Sequence, residues 1–512
     1  MTANKRILLN VAATYGRSLY ALLVGLFCSR WAIGALGTVD YGLFGLIGGL
    51  VGFVSFVNNL LANAVSRFYA VSVGAALIDE SNGLDECRRW FNTALSLHTV
   101  IPILLILVGY PLGILAIDSF LVIPTDRIEA CYWVWRYTCV TCFISMFTVP
   151  FSAMYNAKQE IAELTIYGFL ITTFNALFQY YMITHPGFWL TKYALWMSIV
   201  GTMPQLIIAY RAVVKYRECK FVSRYLFDLS RIKQVAFFAG TQFFSAFSGM
   251  FCSQGRSFLV NRYLGVDYNA SISVGNLVSS HTMTLSGALS GAFMPAISNK
   301  AGEKRLEDVK QMSFLVCRIS TVLMMIFAIP LILEIREVLN LWLIVIPPFA
   351  AEMCVSVLVC NLINRMSEGY YMSVYAIGKR VFLYSVSVSC GGFLALFGAW
   401  LLFYTGYGVW AICGTIIVEP IITMIIRLVV VRHLLAFSIR HWARSVFIPA
   451  MLLAIVTIIV GYVLHYIMEP SLLRVIMTAL TCEMVLLPLS WFLVLTDNER
   501  NYCLCKIRSL YV

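Results

Sequence analysis

Four arginines stand inside long apolar stretches of this 512-residue chain: Arg17, Arg136, Arg256 and Arg365. A guanidinium is always charged, and its planar fork of donors matches the paired oxygens of a phosphate or carboxylate. One arginine at the centre of a bilayer costs about 2.5–3.5 kcal/mol on insertion scales, so it usually faces water, a partner or the inside of a bundle. Acids in such stretches are fewer. Glu368 follows Arg365 by three residues, at a spacing that pairs the two on one helix face. Glu368 and Glu419, which precedes Pro420, are the candidates for coupling a cation or proton, with Glu483 beside them. A hydrogen bond to a neighbouring helix is the bland account of each. His98 titrates near neutrality in water, but a lone His in an apolar run is ordinarily a packed polar side chain.

Other chemistries are not provided for. No phosphate-cradling Gly-rich motif, metalloprotease helix or Gly-x-Ser-x-Gly elbow is present. Most of the fifteen Cys lie in apolar runs, where a thiol acts as a small hydrophobe. Cys503 and Cys505 have no second pair or His cluster to complete a zinc site. Neither a metal nor a cofactor is expected, nor an enzyme.

The elements that must hold the arginines follow from composition. Of the chain, 60% is hydrophobic and 12% charged, and the mean hydropathy is +0.83. A soluble domain carries about 25% charged residues, so this chain belongs in a membrane. Runs long enough to span number about 14. They lie near 8–34, 42–64, 91–116, 130–154, 162–183, 190–210, 235–261, 270–296, 314–333, 350–377, 382–404, 408–430, 446–466 and 473–495. The net charge of +12 sits in alternate loops. One set carries Arg211, Lys215, Arg217, Lys220, Arg224, Arg231 and Lys233; then Lys300, Lys304, Arg305 and Lys310; then Arg432, Arg440 and Arg444. The other set is acidic: Asp118, Asp126 and Glu129 around Arg127, and Glu334 and Glu337 around Arg336 in what reads as an outer loop. This asymmetry predicts both termini in the cytoplasm and makes nucleic acid unnecessary as a partner.

The chain also repeats itself. Arg30 is followed by Leu36-Gly37 and then Val39-Asp40-Tyr41; Arg262 is followed by Leu264-Gly265 and then Val266-Asp267-Tyr268. Both stand at the turn between the first and second helix of a half, which predicts duplication with parallel halves. Small residues recur in the paired second helices: Gly45, Gly48, Gly49 and Gly52 in one, Gly275, Ser279, Ser286, Gly287, Ser290 and Gly291 in the other. They allow close approach or bending.

These residues resemble the polysaccharide transporter (Wzx-type flippase) branch of the multidrug/oligosaccharidyl-lipid/polysaccharide exporter superfamily. The resemblance rests on Ser29-Arg30 through Leu36-Gly37, Asp40-Tyr41-Gly42 and Gly45 to Gly52. It continues in Pro150 to Ala157 with Lys158-Gln159-Glu160, and in Glu218-Cys219-Lys220-Phe221, Gln254-Gly255, Asn261 and Pro295. It implies an all-α fold of two six-helix bundles in a V around a central cavity plus two C-terminal helices. The expected division is a first bundle at 1–214, a basic cytoplasmic linker at 215–234, a second bundle at 235–431, and two extra helices with a tail at 432–512. It further implies a bacterial inner-membrane flippase of undecaprenyl pyrophosphate-linked oligosaccharide, serving O antigen, capsule or another surface polysaccharide. Its partners would be a periplasmic polymerase and a chain-length regulator. The pyrophosphate would then meet Arg17, Arg30, Arg256 and Arg365. The contrary account is that Arg30, Arg136 and Arg262, near span ends, merely reach for headgroups. A cation-coupled multidrug antiporter of the same superfamily is the rival reading, and it would want acids where this chain has arginines.

Overall fold

The computed structural model describes residues 3–50, 80–158, 160–302, 304–378 and 380–494, with scattered positions at 58, 61, 62, 65, 68, 69, 72 and 500. Gly52, Gln159, Cys503, Cys505 and positions 51–57, 59, 60, 63 and 64 of the predicted span at 42–64 lie outside the described residues, as do the side chains of Ser286, Ser290 and Pro295.

Helix is the regular structure throughout the described residues. The helices are α1 (Ala3–Leu50), α2 (Glu80–Leu115), α3 (Ile128–Phe147), α4 (Val149–Ala157), α5 (Ile161–Thr184), α6 (Leu190–Lys215) and α7 (Leu229–Leu264). Then come α8 (Asp267–Gly302), α9 (Leu306–Trp342), α10 (Ala350–Arg365), α11 (Glu368–Ile377), α12 (Val381–Tyr404), α13 (Val409–Leu435), α14 (Ile448–Ile467) and α15 (Leu472–Leu493). In lipid an open chain can satisfy its backbone polar groups only as helix. Among the described residues, nine helical stretches are long and apolar enough to cross a bilayer. The chain is an all-α, multi-pass membrane protein.

Two compact units form, Met1–Ala270 with Trp342–Pro347, and Ser271–Leu341 with Pro348–Val512. In the first, one apolar core gathers Ile47, Cys131, Val134 and Leu190, and a second gathers Tyr69, Phe91, Met154 and Ala212. The segment joining α6 to α7 is tied to this unit. Asn92 of α2 accepts from Val222 N at 2.8 Å and donates to Lys220 O at 3.0 Å. Asp228 caps α7 through Ser230 N and Arg231 N. Burial pushes its carboxyl up, but the Arg231 backbone N–H and guanidinium outweigh that and hold it below the usual carboxylate range. Arg231 also grips Glu86 at 2.7 Å. The core of the second unit includes Val316, Cys317, Tyr370, Met372, Val431 and Leu453.

The duplicated sequence folds into a duplicated bend. Gly37 (φ 75°, ψ 176°) turns α1, and Gly265 (φ 101°, ψ 175°) separates α7 from α8. That backbone region is essentially restricted to glycine. The two bends meet within the first unit: Thr38 Oγ1 donates to Asp267 Oδ1, and a Cβ on Gly42 would stand 2.5 Å from the Val266 carbonyl oxygen. Asp40, the counterpart of Asp267, takes a charge-assisted bond from Arg127 Nε at 2.8 Å.

One segment departs from expectation. Glu334, Arg336 and Glu337, read from sequence as an outer loop, lie inside α9. Pro330 removes a rung of the helix, and Glu334 (φ −111°, ψ 17°) kinks it. Glu334 is only 1% exposed. Its charge is compensated by Arg474 Nη2 at 2.9 Å, His465 Nδ1 at 3.0 Å and Thr478 Oγ1 at 3.1 Å. A buried carboxylate survives in a helix when partners of this kind surround it. Leu343–Phe349 is what remains between α9 and α10.

Candidate functional site

In the first unit, Arg17 lies along α5. A Cβ on Gly168 would stand 2.5 Å from Arg17 Cδ, so the glycine makes the slot in which the arginine stem rests. One turn further, Tyr20 hydroxyl meets Thr173 Oγ1 at 2.8 Å. Arg17 as a whole is exposed. Arg30, also on α1, is half-buried, beside Trp31, whose ring packs edge-on to Tyr180 at 5.3 Å. Arg256 is half-buried on α7, two residues past Gln254, whose amide lies against Gly49 of α1. The small residue predicted to permit close approach does so here. Asn261 is fully buried, and both ends of its amide are used by Val122, at 2.9 Å to N and 3.3 Å to O.

In the second unit, the predicted pair of Arg365 and Glu368 exists, Nη1 to Oε1 at 3.4 Å. The two do not share one helix as expected: α10 stops at Arg365, and α11 starts at Glu368 after a turn at Met366 and Ser367. The turn leaves carbonyls that the helix would have used. A different element answers each. Arg427 Nη1 of α13 donates to Asn364 O at 3.1 Å, Ser320 Oγ of α9 to Arg365 O at 3.1 Å, and Trp442 Nε1 to Met366 O at 3.1 Å. Gly369 lets α11 lie on α9, because a Cβ there would fall 2.0 Å from Ser313 O.

Arg427 is the residue the sequence reading passed over. Its guanidinium donates to Tyr384 hydroxyl at 3.1 Å, to Ser367 Oγ at 3.0 Å and to Asn364 O, all neutral oxygens, and it lies over the Tyr371 ring at 5.5 Å. Arg318 of α9, also missed, is 8% exposed. Both stand in runs of Leu, Ile, Val and Met, the signal that singled out the other four. Around the α10–α11 turn, therefore, stand two guanidinium groups: Arg365, which pairs with Glu368, and Arg427, which donates to neutral oxygens. Glu419 stands two turns before Arg427 on α13 and is half-buried. Arg136 is exposed, with its guanidinium over the Trp133 ring at 4.7 Å, and Arg262 is exposed. Among the described residues no group of His, Cys, Asp and Glu is arranged to hold a metal.

No protein-family model matches the sequence, and no curated protein matches it. Solved structures match its fold. The structure described as "Lipid II flippase MurJ, inward closed conformation" aligns with a TM-score of 0.70 at 13% identity, over 95% of this chain and 98% of the other. An inward-facing multidrug resistance MATE family transporter of the MOP superfamily aligns with a TM-score of 0.57 at 15% identity, over 81% and 92%. A MOP superfamily transporter from Pyrococcus furiosus aligns with a TM-score of 0.54 at 14% identity, over 84% and 94%. The chain has the fold of these transporters.

Proposed function

We propose that this chain flips a lipid pyrophosphate-linked oligosaccharide from the inner to the outer leaflet of the bacterial cytoplasmic membrane, for O antigen, capsule or another surface polysaccharide. The observation that carries the reading is the excess of guanidinium over carboxylate in the apolar helices: Arg17, Arg30 and Arg256 in one unit, and Arg318, Arg365 and Arg427 in the other. A pyrophosphate is the charged part of such a lipid and the part that resists the bilayer. Fixed cations in a low dielectric lower that barrier through Coulomb attraction and bidentate hydrogen bonds. The transporter fold supports the reading, and its likeness to a lipid II flippase fits it. Basic loops at 211–233, 300–310 and 432–444 support an orientation with both termini in the cytoplasm. A polymerase and a chain-length regulator on the outer side would receive the product.

Proteoliposomes loaded with a fluorescent undecaprenyl pyrophosphate oligosaccharide test the proposal. Arg17→Gln and Arg256→Gln are expected to slow flipping at least about tenfold each, as the loss of one charge-assisted contact implies. Full activity in both variants would remove the arginines from the mechanism. A second reading, cation-coupled drug antiport, is favoured by acids among the helices, Glu368 and Glu419 in particular. It predicts that Glu368→Gln and Glu419→Gln abolish dye efflux while the arginine variants leave it intact.

A further inference from the structure

Around the kink of α9 at Glu334, helices α9, α10, α13, α14 and the start of α15 surround a cavity of about 880 Å³. That volume lies within the range of small-molecule sites, about 300–1,000 Å³. Most of its charges are engaged with one another: Glu334 with Arg474, and Arg336 Nη2 with Glu352 Oε1 at 3.0 Å. Two polar side chains are not. Glu337 and Asn340 both line the cavity, one turn apart on α9, and neither is bonded to any side chain or backbone group among the described residues. Trp410, at the start of α13, lines the same cavity with 63% of its surface open.

We propose that this cavity binds a saccharide. A sugar ring has an apolar C–H face and a rim of hydroxyls, each at once donor and acceptor. Trp410 supplies a broad, stiff apolar surface for the face. The Glu337 carboxylate accepts from neighbouring hydroxyls and donates to none, while the Asn340 amide does both, so the pair can hold a vicinal diol. Because the other charges cancel in pairs, the cavity keeps one uncommitted carboxylate, which selects against an anionic ligand and not against a neutral or amino sugar. The proposal deepens the preceding reading and rests on it for the sugar's source, the glycan of the flipped lipid.

The test uses the full chain in nanodiscs and saturation-transfer difference NMR, with free galactose, N-acetylglucosamine and N-acetyllactosamine as probes. Saturation is expected to reach the sugar ring protons, and Trp410→Ala and Glu337→Gln are each expected to weaken binding about tenfold, the scale of one lost specific contact. Trp410→Phe, which keeps a ring, should retain most of it. No transfer to any probe, or transfer that Trp410→Ala and Glu337→Gln leave unchanged, overturns the site. Flipping of lipid-linked cargo by the same protein in proteoliposomes reads the earlier proposal separately. Flipping without sugar binding removes the saccharide site alone, and sugar binding without flipping keeps the site and removes the flippase.

Discussion

Glu334 shows what a single buried charge asks of its surroundings. It accepts hydrogen bonds from Arg474 Nε at 3.0 Å and Thr478 Oγ1 at 3.1 Å, with His465 Nδ1 at 3.0 Å. Removing one partner of such a pair strands the other and costs about 3–5 kcal/mol, whereas replacing both by apolar groups is often neutral or better. Arg474→Ala should therefore lower the melting temperature in detergent sharply, and Arg474→Met combined with Glu334→Leu should recover most of the loss. Equal melting of the single and double variants would show that the pair is not coupled. The acid was misassigned to a loop because Glu-Ile-Arg-Glu after an apolar run looks like a helix end. Its main partner lies 140 residues away in sequence, where no local pattern reaches. Arg427 and Arg318, by contrast, were visible as isolated cations in apolar runs.

Among the elements, the bends at Gly37 and Gly265 were legible, because the repeated Leu-Gly and Val-Asp-Tyr mark them in the sequence. No heavy atom beyond its chain neighbours lies within 4 Å of where a Cβ on either glycine would stand. The cost of substitution is thus conformational, about 1–3 kcal/mol for a residue forced into that region. Gly37→Ala and Gly265→Ala should each lower the melting temperature, and by similar amounts if the bends are equivalent; a neutral effect at either would show that the bend relaxes. Gly369→Ala differs, because its methyl would drive into the backbone of α9 at Ser313. Thermal unfolding should rank it below both bend variants. Helices themselves were readable from apolar length. The break between α10 and α11 was not, since neither Met366 nor Ser367 is a helix breaker, and what holds the break open comes from α9, α13 and Trp442.

On the scale of the whole molecule, the last two helices are bound to the second unit through chemistry as well as apolar packing. A chain ending at Met468 loses Arg474 and Thr478, and leaves Glu334 with His465 as its remaining partner. Such a chain should be recovered in much lower monodisperse yield, and Glu334→Leu in the same truncation should raise that yield; size-exclusion profiles of the two check it. The order of synthesis gives the arrangement a further consequence. The ribosome delivers Glu334 to the translocation machinery well before it delivers Arg474. Through that interval the nascent chain holds an acid whose main partner has yet to be made, so the packing of α9 stays incomplete. The arrival of α15 is then the event that completes the second unit.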